Sequence, residues 1–244
     1  MKLVWDDTGK KQYELGIDHG VIYPQKNDGT YESGVAWNGL TSVSENSEGG
    51  DNNTLWADNS RYATRRAKET FSATVEAYTY PDEFEECDGS SAIEKGILIT
   101  QQGRRKFGFT YRTLIGNDTE GQDAGYKLHI VWNARANPTE KGYGTVNESP
   151  DAVTFSWEVT SDGVQLTGYQ DVASIVIDST QVNPNQLANL ENLLYGMDNY
   201  PPSLLSPAQV LAVFRFKVEN LLDSSAAIVS DSGRQPVLGE TAQF

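Results

Sequence analysis

Apolar and polar residues alternate strictly in one segment after another, and this restricts the fold more than any other feature. Val153, Phe155, Trp157 and Val159 alternate with Thr154, Ser156, Glu158 and Thr160. Phe71, Ala73, Val75 and Ala77 alternate with Ser72, Thr74, Glu76 and Tyr78. Further one-sided sets are Tyr13, Leu15 and Ile17, continued by Val21–Tyr23; Val35 and Trp37; Phe107, Phe109 and Tyr111; and Tyr126, Leu128, Ile130 and Trp132. Val172–Ile177 is apolar on both faces apart from Ser174. Period two sends successive side chains to opposite faces of a sheet, so each segment predicts a strand with one face inward. Twenty-two Gly and abundant Asn, Asp, Ser and Thr supply frequent turns. The predicted class is mainly β: two packed antiparallel sheets, a sandwich or barrel.

Two helices flank these strands. Asn183 and Pro184 start the first, since Asn caps and Pro suits the first turn. Leu187, Leu190 and Leu194 then form one apolar stripe, and Gly196 ends it in a left-handed cap. Ser206 and Pro207 start the second, which carries Val210, Leu211 and Phe214. Residues 1–214 are predicted to form one domain, and residues 215–244 a C-terminal extension or arm.

The stretch from Gly34 to Asp88 reads as a short apolar strand, a long polar loop, an alternating strand and an acidic turn. Loops of that length in compact domains carry function or lack order. Trp56 is the apolar anchor of the Ser44–Arg61 loop, and it predicts a contact with another protein chain. Arg61, Arg65, Arg66 and Lys68 follow as a basic cluster, suited either to solvent or to acids on an adjacent copy. Asp82, Glu83, Glu85, Glu86 and Asp88 read as a solvated acidic turn opened by Pro81, or as the counterpart of such a basic segment. The spacing of an EF-hand calcium loop is absent.

Lys+Arg 19 against Asp+Glu 34 leaves a formal charge of −15, a field that repels nucleic acid and anionic membranes. It suits solubility at high concentration, or a surface that DNA passes without sticking. Cys87 is the single cysteine, so no internal disulfide forms. The N-terminal segment lacks an apolar signal region, which predicts folding in a cytoplasm. His19 and His129 stand in no metal or triad motif, and no phosphate or dinucleotide loop occurs, so no cofactor is expected. Arg104–Arg112 places aromatics on a strand as an RNA-binding sheet does, but a core strand with a basic approach fits this acidic chain better.

Several segments together resemble the major tail protein of long non-contractile phage tails, of the type infecting Gram-positive hosts. They are GVAWNGLTSVSE, TLWADNSRYATRR, ATVEAYTYPDEFEECDG, FGFTYRTLIGNDTEG, GYKLHIVWNA, TVNESPDAVTFSWEV and IDSTQVNPNQLANLENLLYG. The resemblance spans about Gly16 to Phe214. It implies a non-enzymatic virion protein with a tail-tube fold. Six copies form a ring, neighbouring strands complete a β-barrel around a channel, and rings stack into a conduit for the genome. It further implies assembly in the host cytoplasm on a tape-measure protein, between a tail terminator and a distal tail protein. DNA passes through without specific binding, and no membrane is involved. The expected contacts between rings or subunits are Glu45, Asp51, Trp56, Asp58, Arg61, Arg65, Arg66, Glu83 and Glu86. Two rival readings come from the residues alone. One is a carbohydrate-binding sandwich that stacks exposed aromatics on sugars. The other is a hydrolase using paired acids such as Glu76 and Glu158.

Overall fold

The computed structural model describes residues 3–94, 96–145 and 152–215. The strands are β1 (Tyr13–Pro24), β2 (Val35–Trp37), β3 (Leu40–Gly49), β4 (Asn52–Ala57), β5 (Ser60–Arg66), β6 (Glu69–Ala77), β7 (Ser91–Glu94), β8 (Ile97–Ile99), β9 (Phe107–Asn117), β10 (Gly121–Ala136), β11 (Phe155–Ser161) and β12 (Ser174–Asp178). A single turn of 3-10 helix covers Asp82–Phe84, and helices α1 (Pro184–Tyr195) and α2 (Pro207–Arg215) close the described chain. The mainly-β class with two flanking helices is as the alternation predicts.

One antiparallel sheet runs β2-β1-β9-β10-β11-β6-β3, with β12 added alongside β10. It folds into two layers at two corners. The first corner is a bulge in β10. Residues Lys127–Val131 pair with β12, whereas Ala134–Ala136 pair with β11. Asn133 sits between them at φ 51°, a left-handed conformation that Asn tolerates better than most residues. Its side chain accepts from Gln25 Nε2 at 2.8 Å and donates to the Gly163 carbonyl at 2.9 Å, which holds the bend. The extra residue also flips the side-chain phase. Leu128, Ile130 and Trp132 face the helices, while Val131, Ala134 and Ala136 face the space between the layers.

The second corner is the Asn38–Gly39 link. β2 and β3 stand at opposite ends of the strand order yet are two residues apart in the chain. Trp37 pairs with Gly20 of β1, and Leu40 pairs with Ala77 of β6. Gly39 turns the corner at φ 77°, where a Cβ would lie 3.0 Å from Thr79 Cγ2. The layers thus close on each other as a flattened barrel.

Two apolar cores result. Between the layers, Ile22, Trp37, Phe107 and Phe109 meet Val75, Trp157 and Val159, with Phe84 of the acidic turn inserted. Trp37 lies 4.5 Å from Phe84 and 5.5 Å from Trp157, centroid to centroid. On the far side of the β1–β9–β10–β12 layer, Tyr23, Leu128, Ile130 and Trp132 receive Leu187, Leu190 and Leu194 of α1 and Val210 of α2. Asn183 caps α1 by accepting from the Asn185 and Gln186 amides, and Gly196 ends it at φ 86°.

The structure corrects three local expectations. The Ser44–Arg61 stretch is not a loop: its residues complete β3 and build the β4–β5 hairpin. Asp58 and Asn59 make the two-residue turn with φ 49° and 55°, the left-handed pair that a tight hairpin needs. The acidic turn is not wholly solvated, because Asp88 is buried and accepts from Lys141 Nζ, from Arg104 Nη1 at 3.4 Å and from Trp157 Nε1 at 3.2 Å. β11 opens at Phe155 rather than at Val153. Residues 216–244, nearly all of the expected C-terminal extension, lie outside the described residues.

Candidate functional site

The helices cover one layer only. The outer face of the other layer, β3–β6–β11, is polar and carries no helix, although Ser72 at one end of it is buried. Register fixes what it presents. Ser42, Glu76 and Ser156 lie side by side across the three strands. Ser44, Thr74 and Glu158 form the next row, and Asn46, Ser72 and Thr160 the third, which ends in Arg135 on β10. These are the alternate residues of strands whose other face buries Val75, Trp157 and Val159. The face is therefore short hydroxyls and amides with two carboxylates and one guanidinium. Ser42 Oγ donates to Glu76 Oε2 at 2.8 Å.

Unpaired strand edges border this face. Among the described residues, β3 pairs only with β6, β12 only with β10, and the Tyr13–His19 half of β1 only with β9. Each edge presents backbone donors and acceptors to whatever adjoins it.

Two hairpins stand off the barrel. β4–β5 is exposed through nearly all its length, with Trp56 at 70% and Tyr62 at 75% exposure. Most of the contact residues expected from sequence fall here. Asp51 precedes β4 and its carbonyl accepts from the Ala67 amide; Asp58 is in the turn; Arg61 reaches the Thr64 hydroxyl at 2.9 Å; Arg65 meets no carboxylate among the described residues; Arg66 pairs with Glu69 at 2.5 Å. β7–β8, which the sequence reading missed, exposes Ile93, Ile97, Leu98 and Ile99. A groove of about 510 Å³ separates it from the acidic turn, with Glu83 and Glu86 in its lining. Glu86 and Glu32 both pair with Arg105, at 2.9 and 2.6 Å.

Glu45 differs from the other expected contacts, because the register puts it on the inward-facing side of β3 opposite Ala73, at the exposed rim of the barrel. Its carboxylate accepts from the Tyr111 hydroxyl and from His129 Nδ1, the latter at 3.0 Å. Thr113 Oγ1 lies 3.1 Å from His129 Nε2, and the Tyr111 and His129 rings stack at 4.6 Å. An N–H on His129 Nδ1 donates to Glu45, and the Thr113 hydroxyl serves Nε2 as donor or acceptor. The hydrogen bond from His129 holds the Glu45 carboxyl below its usual range against the opposing effect of burial, and Tyr111 adds to the lowering. Glu45 thus ties β3 to β9 and β10 across the barrel, engaged within its own subunit. Burial, with Glu45 adjacent, pushes the Tyr111 hydroxyl up.

Among the described residues no cluster of three or more His, Cys, Asp or Glu is arranged to hold a metal ion, and no helix is long and apolar enough to cross a membrane. Glu76 and Glu158, the acids of the hydrolase reading, sit on the open polar face.

No protein family and no curated protein matches the chain. Among solved structures it is similar to a chain of the PVC sheath–tube complex of an extracellular contractile injection system in its extended state. The identity is 14%, over 66% of this chain and 88% of that chain, with a TM-score of 0.34. A likeness this remote fixes neither fold nor function.

Proposed function

We propose that this chain is a structural subunit of a phage tail tube, assembling into six-membered rings that stack around a channel for DNA. The helix-free polar face of β3–β6–β11 carries the reading. A sheet face left without helices, and lined with Ser, Thr, Asn and Glu, suits the wall of a water-filled bore. It offers a single guanidinium to phosphates, so passing DNA finds almost no cation to hold it. The unpaired edges beside it suit closure by neighbouring copies, since a ring removes the edges that an isolated subunit leaves open. The ring and stacking details follow from the resemblance to major tail proteins. The tape-measure, terminator and distal tail partners, the virion location and the absence of enzymatic activity belong to the same proposal.

Electron microscopy of the concentrated protein tests it. Six-membered rings or hollow filaments are expected, and a monodisperse monomer at high concentration would end the proposal. The bore has its own test. Burial pushes the Cys87 thiol up to about 12, so the native cysteine stays protonated and inert at neutral pH. A Thr74→Cys variant then carries one reactive thiol. In assembled protein it is expected to react with a small maleimide but not with a bulky polymer-linked one. Equal reaction with both would remove this face from the bore. Exposed Trp56 and Tyr62 favour one second reading, sugar stacking by a carbohydrate-binding module, which predicts saturable glycan binding by a monomer.

A further inference from the structure

We propose that the β4–β5 hairpin of one copy docks in the groove beneath the β7–β8 hairpin of the next, a head-to-tail contact between copies of this chain. The proposal rests on the assembly reading and names the surface through which it acts. Two-stranded hairpins are marginal in water unless something packs on them. Here both hairpins carry their apolar residues outward: Leu55, Trp56 and Tyr62 on one, Ile93, Ile97 and Ile99 on the other. Leu55 and Trp56 are consecutive and so face opposite ways, and the β7–β8 face that borders the groove is that of Ala92 and Leu98, opposite Ile97 and Ile99.

Charge selects the occupant. Residues 52–66 hold Arg61, Arg65 and Arg66 against Asp58, and because Arg66 is paired with Glu69, Arg61 and Arg65 are the hairpin cations left without a carboxylate among the described residues. The groove is their complement. Arg105 is engaged by Glu32 and Glu86, and Asp82, Glu83 and Glu94 in the lining make no ion pair among the described residues, while Glu85 feels Lys141 nearby. Burial first, and then the nearby Asp82 carboxylate, raise the Glu85 carboxyl above its usual range, with Lys141 opposing them. Ala92 and Leu98 add apolar lining for the Trp56 ring. Because donor and acceptor surfaces are different patches, the contact is heterologous. It propagates from copy to copy, closing into a ring or continuing as a filament according to the rotation at each step.

A charge-exchange experiment on the full chain tests this. One variant carries Arg61→Glu and Arg65→Glu; the other carries Glu83→Arg and Glu94→Arg. In each alone, like charges face one another across the contact. The concentration needed for assembly, read by sedimentation and electron microscopy, is expected to rise at least about tenfold. In an equimolar mixture, copies that alternate along the head-to-tail chain pair opposite charges at every contact, and assembly is expected to return to within about threefold of wild type. Circular dichroism checks folding. If a reversal unfolds the subunit, Arg65→Gln and Glu83→Gln replace it without the mixing step, each alone expected to weaken assembly about threefold. Tubes that form normally from either single variant, or a mixture that fails to recover, would overturn the contact while leaving the tube reading intact. Wild-type protein that never assembles would overturn both.

Discussion

Glu45 is one carboxylate that joins strands lying far apart in the sheet order. Its two hydrogen bonds reach Tyr111 on β9 and His129 on β10, so they brace the barrel where the backbone ladder does not. The consequence is a pH dependence with a definite sign. The carboxyl is held below its ordinary value of 4.5 in the fold. The stability it adds is therefore complete above about pH 4.5 and is lost as the pH falls through the lower folded value. Comparing thermal unfolding of wild type and Glu45→Gln across pH 3 to 7 checks this. Wild type is expected to be the more stable above about pH 4.5, with the difference shrinking toward acid. A difference that stays constant with pH would remove Glu45 from the account.

At the level of elements, the β4–β5 hairpin separates assembly from folding. Trp56 touches little of its own subunit, so Trp56→Ala is expected to change the unfolding free energy of the monomer by no more than about 0.5 kcal/mol. The same change is expected to weaken assembly by about 2 kcal/mol or more, because a large aromatic at a contact concentrates its energy. Tubes of normal length and stability from this variant would refute the hairpin's role. Elements that bury a face were legible from sequence. Leu187, Leu190 and Leu194 announced α1, and the Phe71–Ala77 alternation announced β6, because burial imposes a period on residue choice. The hairpins bury nothing, so the sequence of β4–β5 reads as a loop and that of β7–β8 carries no strand signal. The bulge at Asn133 was equally hidden, since one left-handed residue leaves the alternation before it intact. The polar rows across β3, β6 and β11 were present as Ser, Thr and Glu, but register alone aligns them. The inward turn of Glu45 likewise needed the register, which placed it opposite Ala73 rather than in a free loop.

Across the whole molecule, stability is unevenly distributed. Two cores lock β1, β6, β9 and β10, whereas the hairpins depend on their own hydrogen bonds. Hydrogen exchange followed by mass spectrometry is expected to label residues 52–66 and 91–99 first and residues 107–111 and 128–132 last in the free subunit. Assembly is expected to slow the first group and leave the last unchanged. Hairpins that exchange equally fast in tubes would mean they stay solvated there. The long reach of the first strand has a temporal consequence. Pro24 waits for Phe107, and Tyr13 for Gly116, before either finds its place. At ribosomal speed that interval is on the order of ten seconds. Throughout it the Tyr13–His19 half, which β2 does not pair, is a lone ribbon beside other emerging copies, and Glu14 and Asp18 are the charges that discourage it from annealing to the wrong one.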